Sequence, residues 1–174
     1  MCGKHEFHLG KYLPQVIDEI GDKIDFVILD TVHLFPGEVL DFPVILPYLY
    51  DGAIVVLHDI TLNQGALPWN DAFATATLLS VVTSKEKFLN SDDDNKTLPF
   101  CYPNIAAFKV SRVTHRHIED AFLSLMLNWH YMPSNTELEI YRAFYKKHYP
   151  THLVDIFDEA IRLNSHRMSL VAKK

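Results

Sequence analysis

Apolar positions change their spacing several times along the chain, and each change predicts an element. Phe7 and Leu9 alternate with polar neighbours over His5 to Gly10, which predicts a short strand. Leu13, Val16, Ile17 and Ile20 then recur at helical spacing, with Pro14 in the opening turn and Gly21 as a natural stop. The run Ile24-Asp25-Phe26-Val27-Ile28-Leu29-Asp30 is nearly continuous and rich in β-branched residues, the pattern of a parallel strand buried on both faces. Pro36 to Leu49 reads as a second helix, with Glu38 and Asp41 polar and Val39, Leu40, Val44 and Ile45 apolar. A break is expected near Pro43, which has no N–H to give. Asp51-Gly52 turns the chain into Ala53-Ile54-Val55-Val56-Leu57, a second buried strand ending in His58-Asp59.

The later pattern is mostly helical. Asn70 to Thr83 carries Phe73, Thr77, Leu78 and Val81 at helical spacing, and Ser91 to Asn95 is an acidic loop. Asn104 to Val110 reads as a third buried strand. Three helices are then expected, over 115–129 with Thr114 as cap, over 135–148 behind the capping box Ser134-Asn135-Thr136-Glu137, and over 152–164 with Thr151 as cap. The alternation of strands and helices implies right-handed parallel crossovers. We therefore expect one α/β domain over 1–111, a partial Rossmann-like, mostly parallel sheet with helices on both faces. Residues 112–174 form a helical extension of it.

Composition narrows the function classes. The chain has 174 residues, 48% of them hydrophobic, enough for one sizeable core. Sixteen basic against twenty-two acidic side chains give a net charge of −6, without the basic stripe that nucleic acid demands. Cys2 and Cys101 are too few for a disulfide framework and too far apart for a zinc ribbon. No apolar stretch approaches a membrane span, and the first twenty residues carry no apolar core of a secretory signal. A cytoplasmic protein with no membrane and no nucleic-acid partner is expected.

In parallel α/β sheets, ligands bind beyond the carboxyl ends of the strands. Two polar groups fall there, Asp30-Thr31-Val32-His33 and His58-Asp59. If the two strands are neighbours, Asp30, His33, His58 and Asp59 converge on one crevice, where carboxylates and imidazoles bind a divalent cation or act as acid and base. The competing reading makes the carboxylates caps of the following turns and the histidines ordinary loop residues. His115-Arg116-His117 with Asp120 has metal-like residue types but opens an amphipathic helix, so a solvated first turn explains it better. Asp92 to Asp94 lacks a preceding strand and reads as exposed loop. The chain contains no G-x-S-x-G elbow, Walker loop or G-x-G-x-x-G.

The stretches "IDFVILDTVH" and "LPYLYDGAIVVLHDI" resemble the second half of a class I S-adenosylmethionine-dependent methyltransferase, in the branch of small-molecule O-methyltransferases and cephalosporin-hydroxylase-like proteins. The resemblance spans about residues 5–110 and makes 24–30 strand 4, 53–57 strand 5 and "NIAAFKV" the antiparallel strand 7. Strand 3 and its helix would be "HEFHLGKYLPQVIDEI". It implies a catalytic set of Asp30, His58 and Asp59, and a cation held by Asp30 and Asp59. His58 stands where the family has a second acidic ligand. It further implies cofactor contacts at Gly10, Lys11, Asp30 and Thr31. The Gly-rich loop after strand 1 and the acidic residue after strand 2 would precede residue 1. The resemblance is thus to a truncated or degenerate methyltransferase, and the expectation is that this chain alone does not hold S-adenosylmethionine.

Three functions from different classes follow from these residues. The first is a methyltransferase-like domain acting on a small-molecule acceptor. The second is a metal-dependent hydrolase using Asp30, His33, His58 and Asp59, with Mn²⁺ or Zn²⁺ preferred over Mg²⁺ because imidazole nitrogen suits borderline metals. The third is a non-catalytic interaction module built on the aromatic helices after residue 112. The missing strand would also leave one edge of 24–30 unpaired, an edge that strand 5–10 or a second copy would cover, the latter giving a homodimer.

Overall fold

The computed structural model describes residues 6–21, 23–64, 71–89 and 104–171. The predicted acidic loop at 91–95 lies outside them, as does His5. Strand β1 (Ile24–Leu29) pairs in parallel with β2 (Leu49–His58), which pairs antiparallel with β4 (Ile105–Lys109), which in turn pairs antiparallel with β3 (Lys87–Leu89). The order across the sheet is β1-β2-β4-β3. The fold is α/β with a mixed sheet. The expectation of a mostly parallel sheet is corrected, because among the described residues only β1 and β2 run parallel.

The two strands read from the sequence are adjacent and in register, with Ile28 opposite Val56 and Leu29 opposite Leu57. β1 nevertheless lies at the edge. No strand forms over residues 6–10, which are irregular and turn. Phe7 and Leu9 stay 83% and 86% exposed, so their alternation reflects no sheet face, and they do not cover β1.

The sheet buries one face. Leu29, Val55, Leu57, Ala106 and Phe108 point into a core shared with Val39, Leu40, Phe42, Leu78 and Phe122. On the other face, Ile28, Val56, Ala107 and Phe88 form one apolar row across all four strands. Phe26 and Ile28 there remain 54% and 59% exposed. The expectation of helices on both faces is therefore corrected among the described residues. A continuous apolar run announces burial on both sides, and β1 has cover on one.

Helix α1 (Ile17–Ile20) follows a 3-10 turn at Leu13–Gln15 and stops at Gly21, whose φ of +93° suits glycine. α2 (Gly37–Ile45) is buried along its whole length and runs through Pro43, with a 3-10 turn at Leu46–Tyr48 in place of the expected break. α3 (Ala74–Val81) falls inside the predicted 70–83 stretch. The single helix expected over 115–129 is instead α4 (Arg112–Arg116) and α5 (Glu119–Ser124), separated at His117 and Ile118. Its cap is Ser111, whose main-chain N–H donates to Thr114 Oγ1 (3.1 Å), so Thr114 sits inside the first turn.

α6 (Asn135–His148) opens as read, with Ser134 Oγ accepting from the Glu137 N–H at 3.2 Å. α7 (Thr151–Val171) is longer than expected. Tyrosines on successive turns tie α6 to α2. Tyr141 donates to Asp41 Oδ1 (2.5 Å), Tyr145 to the Leu40 carbonyl (2.6 Å) and Tyr149 to the Pro43 carbonyl (2.5 Å). These bonds and the edge-to-face aromatic cluster of Phe122, Tyr145 and Phe157 fix α2, which carries one wall of the site. No described helix is long and apolar enough to cross a membrane.

Candidate functional site

The carboxyl ends of β1 and β2 deliver Asp30 and His58 side by side, because the register that pairs Leu29 with Leu57 places the next residue of each strand at the same level. Beyond them, the chain turns sharply in both cases. His33 and Asp59 have φ of +59° and +58°, the left-handed region that non-glycine residues rarely enter. These conformations fold both side chains back over the strand ends.

Four polar side chains meet there. His33 Nε2 lies 3.3 Å from Asp30 Oδ1 and 3.4 Å from Asp59 Oδ2, while His58 Nδ1 lies 3.4 Å and 3.3 Å from the same two oxygens. Asp30, His33 and Asp59 each offer one ligand atom within 4.8 Å of the others. The cluster is graded in exposure: the His33 and Asp59 side chains are nearly buried, and those of Asp30 and His58 face solvent.

The surroundings commit one side of each inner group. Asn104, the residue before β4, donates through Nδ2 to Asp59 Oδ1 at 2.6 Å, leaving Oδ2 for the imidazoles. Thr61 Oγ1 donates to the Asn104 amide oxygen (3.2 Å), and Thr75 Oγ1 donates to the Asp59 carbonyl (3.2 Å). Behind His33 stands Glu38 on α2, fully buried, whose Oε1 accepts the main-chain N–H of His33 (2.9 Å) and of Thr31 (3.3 Å). Gly37 lies against the 31–33 turn, and a Cβ there would come within 2.3 Å of Val32 Cγ1, so the exposed Val32 side chain would have to shift. Farther in, Asp41 has its carboxyl pushed up to about 7, chiefly by burial and despite the hydrogen bond from Tyr141.

Asp30, His33 and Asp59 are the residues that could hold a divalent cation, with His58 beside them. A metal at about 2.1 Å from each ligand atom spaces neighbouring ligands about 3.0 Å apart in an octahedron and about 3.4 Å apart in a tetrahedron. The nitrogen–oxygen spacings of 3.3–3.4 Å fall in that interval. His58 Nδ1 is moreover buried without a hydrogen-bond partner, although its ring reaches the surface. Imidazole nitrogens mixed with carboxylate oxygens are a set that Mn²⁺ and Zn²⁺ accept more readily than Mg²⁺ does.

Asp30, His33, His58 and Asp59 are thus brought together as their positions at the strand ends suggested. Thr31 borders them through its N–H on Glu38. Gly10 and Lys11 are not joined to them: Gly10 lies in an exposed turn, and Lys11 Nζ pairs with Glu19 Oε1 at 3.6 Å. Among the described residues His115, His117 and Asp120 form no ligand group, and Asp120 Oδ2 accepts from Thr83 Oγ1 (3.1 Å). Glu38 and Asn104 were not singled out from the sequence. Asn104 was within reach of it, because an antiparallel strand that starts beside the end of β2 sets its preceding residue against Asp59. Comparison with protein families, curated proteins and solved structures finds no match to this chain.

Proposed function

We propose that this chain is a class I methyltransferase-like domain whose strand-end cluster holds one divalent cation against a small-molecule acceptor. The observation that carries the reading is the arrangement around β2. A parallel neighbour on one side and an antiparallel strand on the other enclose a carboxylate at each parallel strand end. Asp30, Asp59, His33 and His58 are the residues that would hold the cation. When bound, such an ion polarises an acceptor oxygen and lowers its pKa. His58 and Asp30, on the open side, are the groups an acceptor meets first, and the less exposed pair His33 and Asp59 anchors the set.

Isothermal titration of Mn²⁺, Zn²⁺ and Mg²⁺ into wild type, Asp30→Asn and Asp59→Asn tests the centre. Mn²⁺ and Zn²⁺ are expected to bind more tightly than Mg²⁺, and each substitution to weaken them at least tenfold. Equal affinity across the three proteins removes the centre. The presence of two imidazoles favours a second reading, a metal-dependent hydrolase in which the cation activates water. Mn²⁺-dependent cleavage of bis(4-nitrophenyl) phosphate, lost in Asp30→Asn and Asp59→Asn, would replace the methyltransferase reading with that one.

A further inference from the structure

Resting on the cation-centre reading, we infer that Glu38 is the positioning residue of the centre: from α2, behind His33, it fixes both the backbone and the ring of that histidine. A fully buried carboxylate at the start of a helix is costly unless its oxygens are used. Oε1 takes two main-chain donors from one turn, His33 N–H at 2.9 Å and Thr31 N–H at 3.3 Å. The first of these holds His33 at its left-handed φ of +59°. The same oxygen lies 3.3 Å from His33 Nδ1.

Two atoms in this contact lack hydrogen-bond partners, His33 Nδ1 and Glu38 Oε2, and both are buried. Buried polar atoms are rarely left unpaired. A small rotation of ring or carboxylate makes Nδ1–H donate to Glu38, which places the proton on Nδ1 and the free lone pair on Nε2. That lone pair faces Asp30 Oδ1 and Asp59 Oδ2, where the cation would sit. Carboxylates behind a ligating imidazole set its tautomer and basicity, and their loss lowers metal affinity about 10–100-fold. Glu38 touches no ligand position itself and acts through His33.

Glu38→Gln separates this role from a structural one. The glutamine amide oxygen still accepts both main-chain N–H groups, but the carboxylate charge behind Nδ1 is gone. At one fixed pH, Zn²⁺ and Mn²⁺ affinity by isothermal titration is expected to fall about 10–100-fold in Glu38→Gln, with a smaller loss in Glu38→Asp. In zinc-loaded wild type labelled with ¹⁵N-histidine, a slowly exchanging proton on His33 Nδ1 is expected, and its signal should shift or vanish in Glu38→Gln. Wild-type affinity in Glu38→Gln, while Asp30→Asn and Asp59→Asn bind weakly, overturns the inference and leaves the centre standing. The same holds if Glu38→Gln only lowers the unfolding midpoint of the metal-free protein. Indifference of all the variants sinks the centre itself. If Glu38→Gln does not fold, the wild-type spectrum decides, and absence of a proton on His33 Nδ1 overturns the inference.

Discussion

Replacing Asp41 by asparagine should remove a specific dependence of stability on pH. Asp41 is almost fully buried between α2 and α6, and burial raises its carboxyl from an ordinary 3.8 to about 7. Neighbouring Glu38 and Glu137 add to the rise, and the Tyr141 hydrogen bond opposes it. Between those two values the folded chain keeps a proton on Asp41 that the unfolded chain has already released. Stability from this group is therefore complete below about pH 4 and is lost as pH rises through 7. The full difference corresponds to about 4 kcal/mol, and relaxation around the site brings a measured value to about 2–4 kcal/mol. Asparagine keeps an oxygen for Tyr141 and does not titrate. Urea unfolding at pH 4, 5, 6, 7 and 8 gives the free energy of both proteins, and titrations common to both cancel in the difference. The difference, Asp41→Asn minus wild type, should climb by about 2–4 kcal/mol from pH 4 to pH 8. Parallel curves would show that Asp41 is ionised in the folded protein and refute the argument.

Two further substitutions probe the frame behind the site. Asn164→Ala removes the oxygen that accepts the main-chain N–H of Trp129 (2.9 Å) and the amide that donates to the Leu127 and Ala160 carbonyls (3.2 and 3.0 Å); urea unfolding should show a loss of about 2–3 kcal/mol. Tyr145→Phe removes a single buried hydroxyl bond to Leu40 (2.6 Å), and the same measurement should show about 1–2 kcal/mol with no change in Zn²⁺ affinity.

The legible parts were those where one strong local signal met no tertiary competitor. Ile24 to Asp30 and Ala53 to Asp59 each combine an apolar run with a terminal carboxylate, and β1 and β2 formed there in parallel. The four site residues lie at those strand ends. β3 was missed because Lys87-Phe88-Leu89 is too short to show a period and owes its strand geometry to pairing with β4. Residues 6–10 failed the other way: Phe7 and Leu9 alternate but meet no strand. Glu38 and Asp41 read as the solvated side of an amphipathic helix, whereas α2 is enclosed on every side by α3, α5, α6 and the sheet. Only that enclosure, a product of residues some hundred positions away such as Tyr141, turns two surface-type carboxylates into buried ones.

The left-handed turns at His33 and Asp59 set stability and retention of the cluster against each other. A non-glycine residue pays about 1–2 kcal/mol for that conformation, and two of the three described instances, the third being Lys23, fall on cluster members. Glycine at either position would relax the backbone while deleting a donor of the cluster, and at 59 it would also give up the hydrogen bond from Asn104. A variant library sorted for heat resistance alone would thus drift toward glycine at 33, where no side-chain hydrogen bond opposes it, and shed that member of the cluster first. If the proposed centre holds a cation, a library sorted on its retention would keep both residues and accept the lower melting point. Thermostabilising this protein therefore means holding these two positions fixed and seeking gains elsewhere.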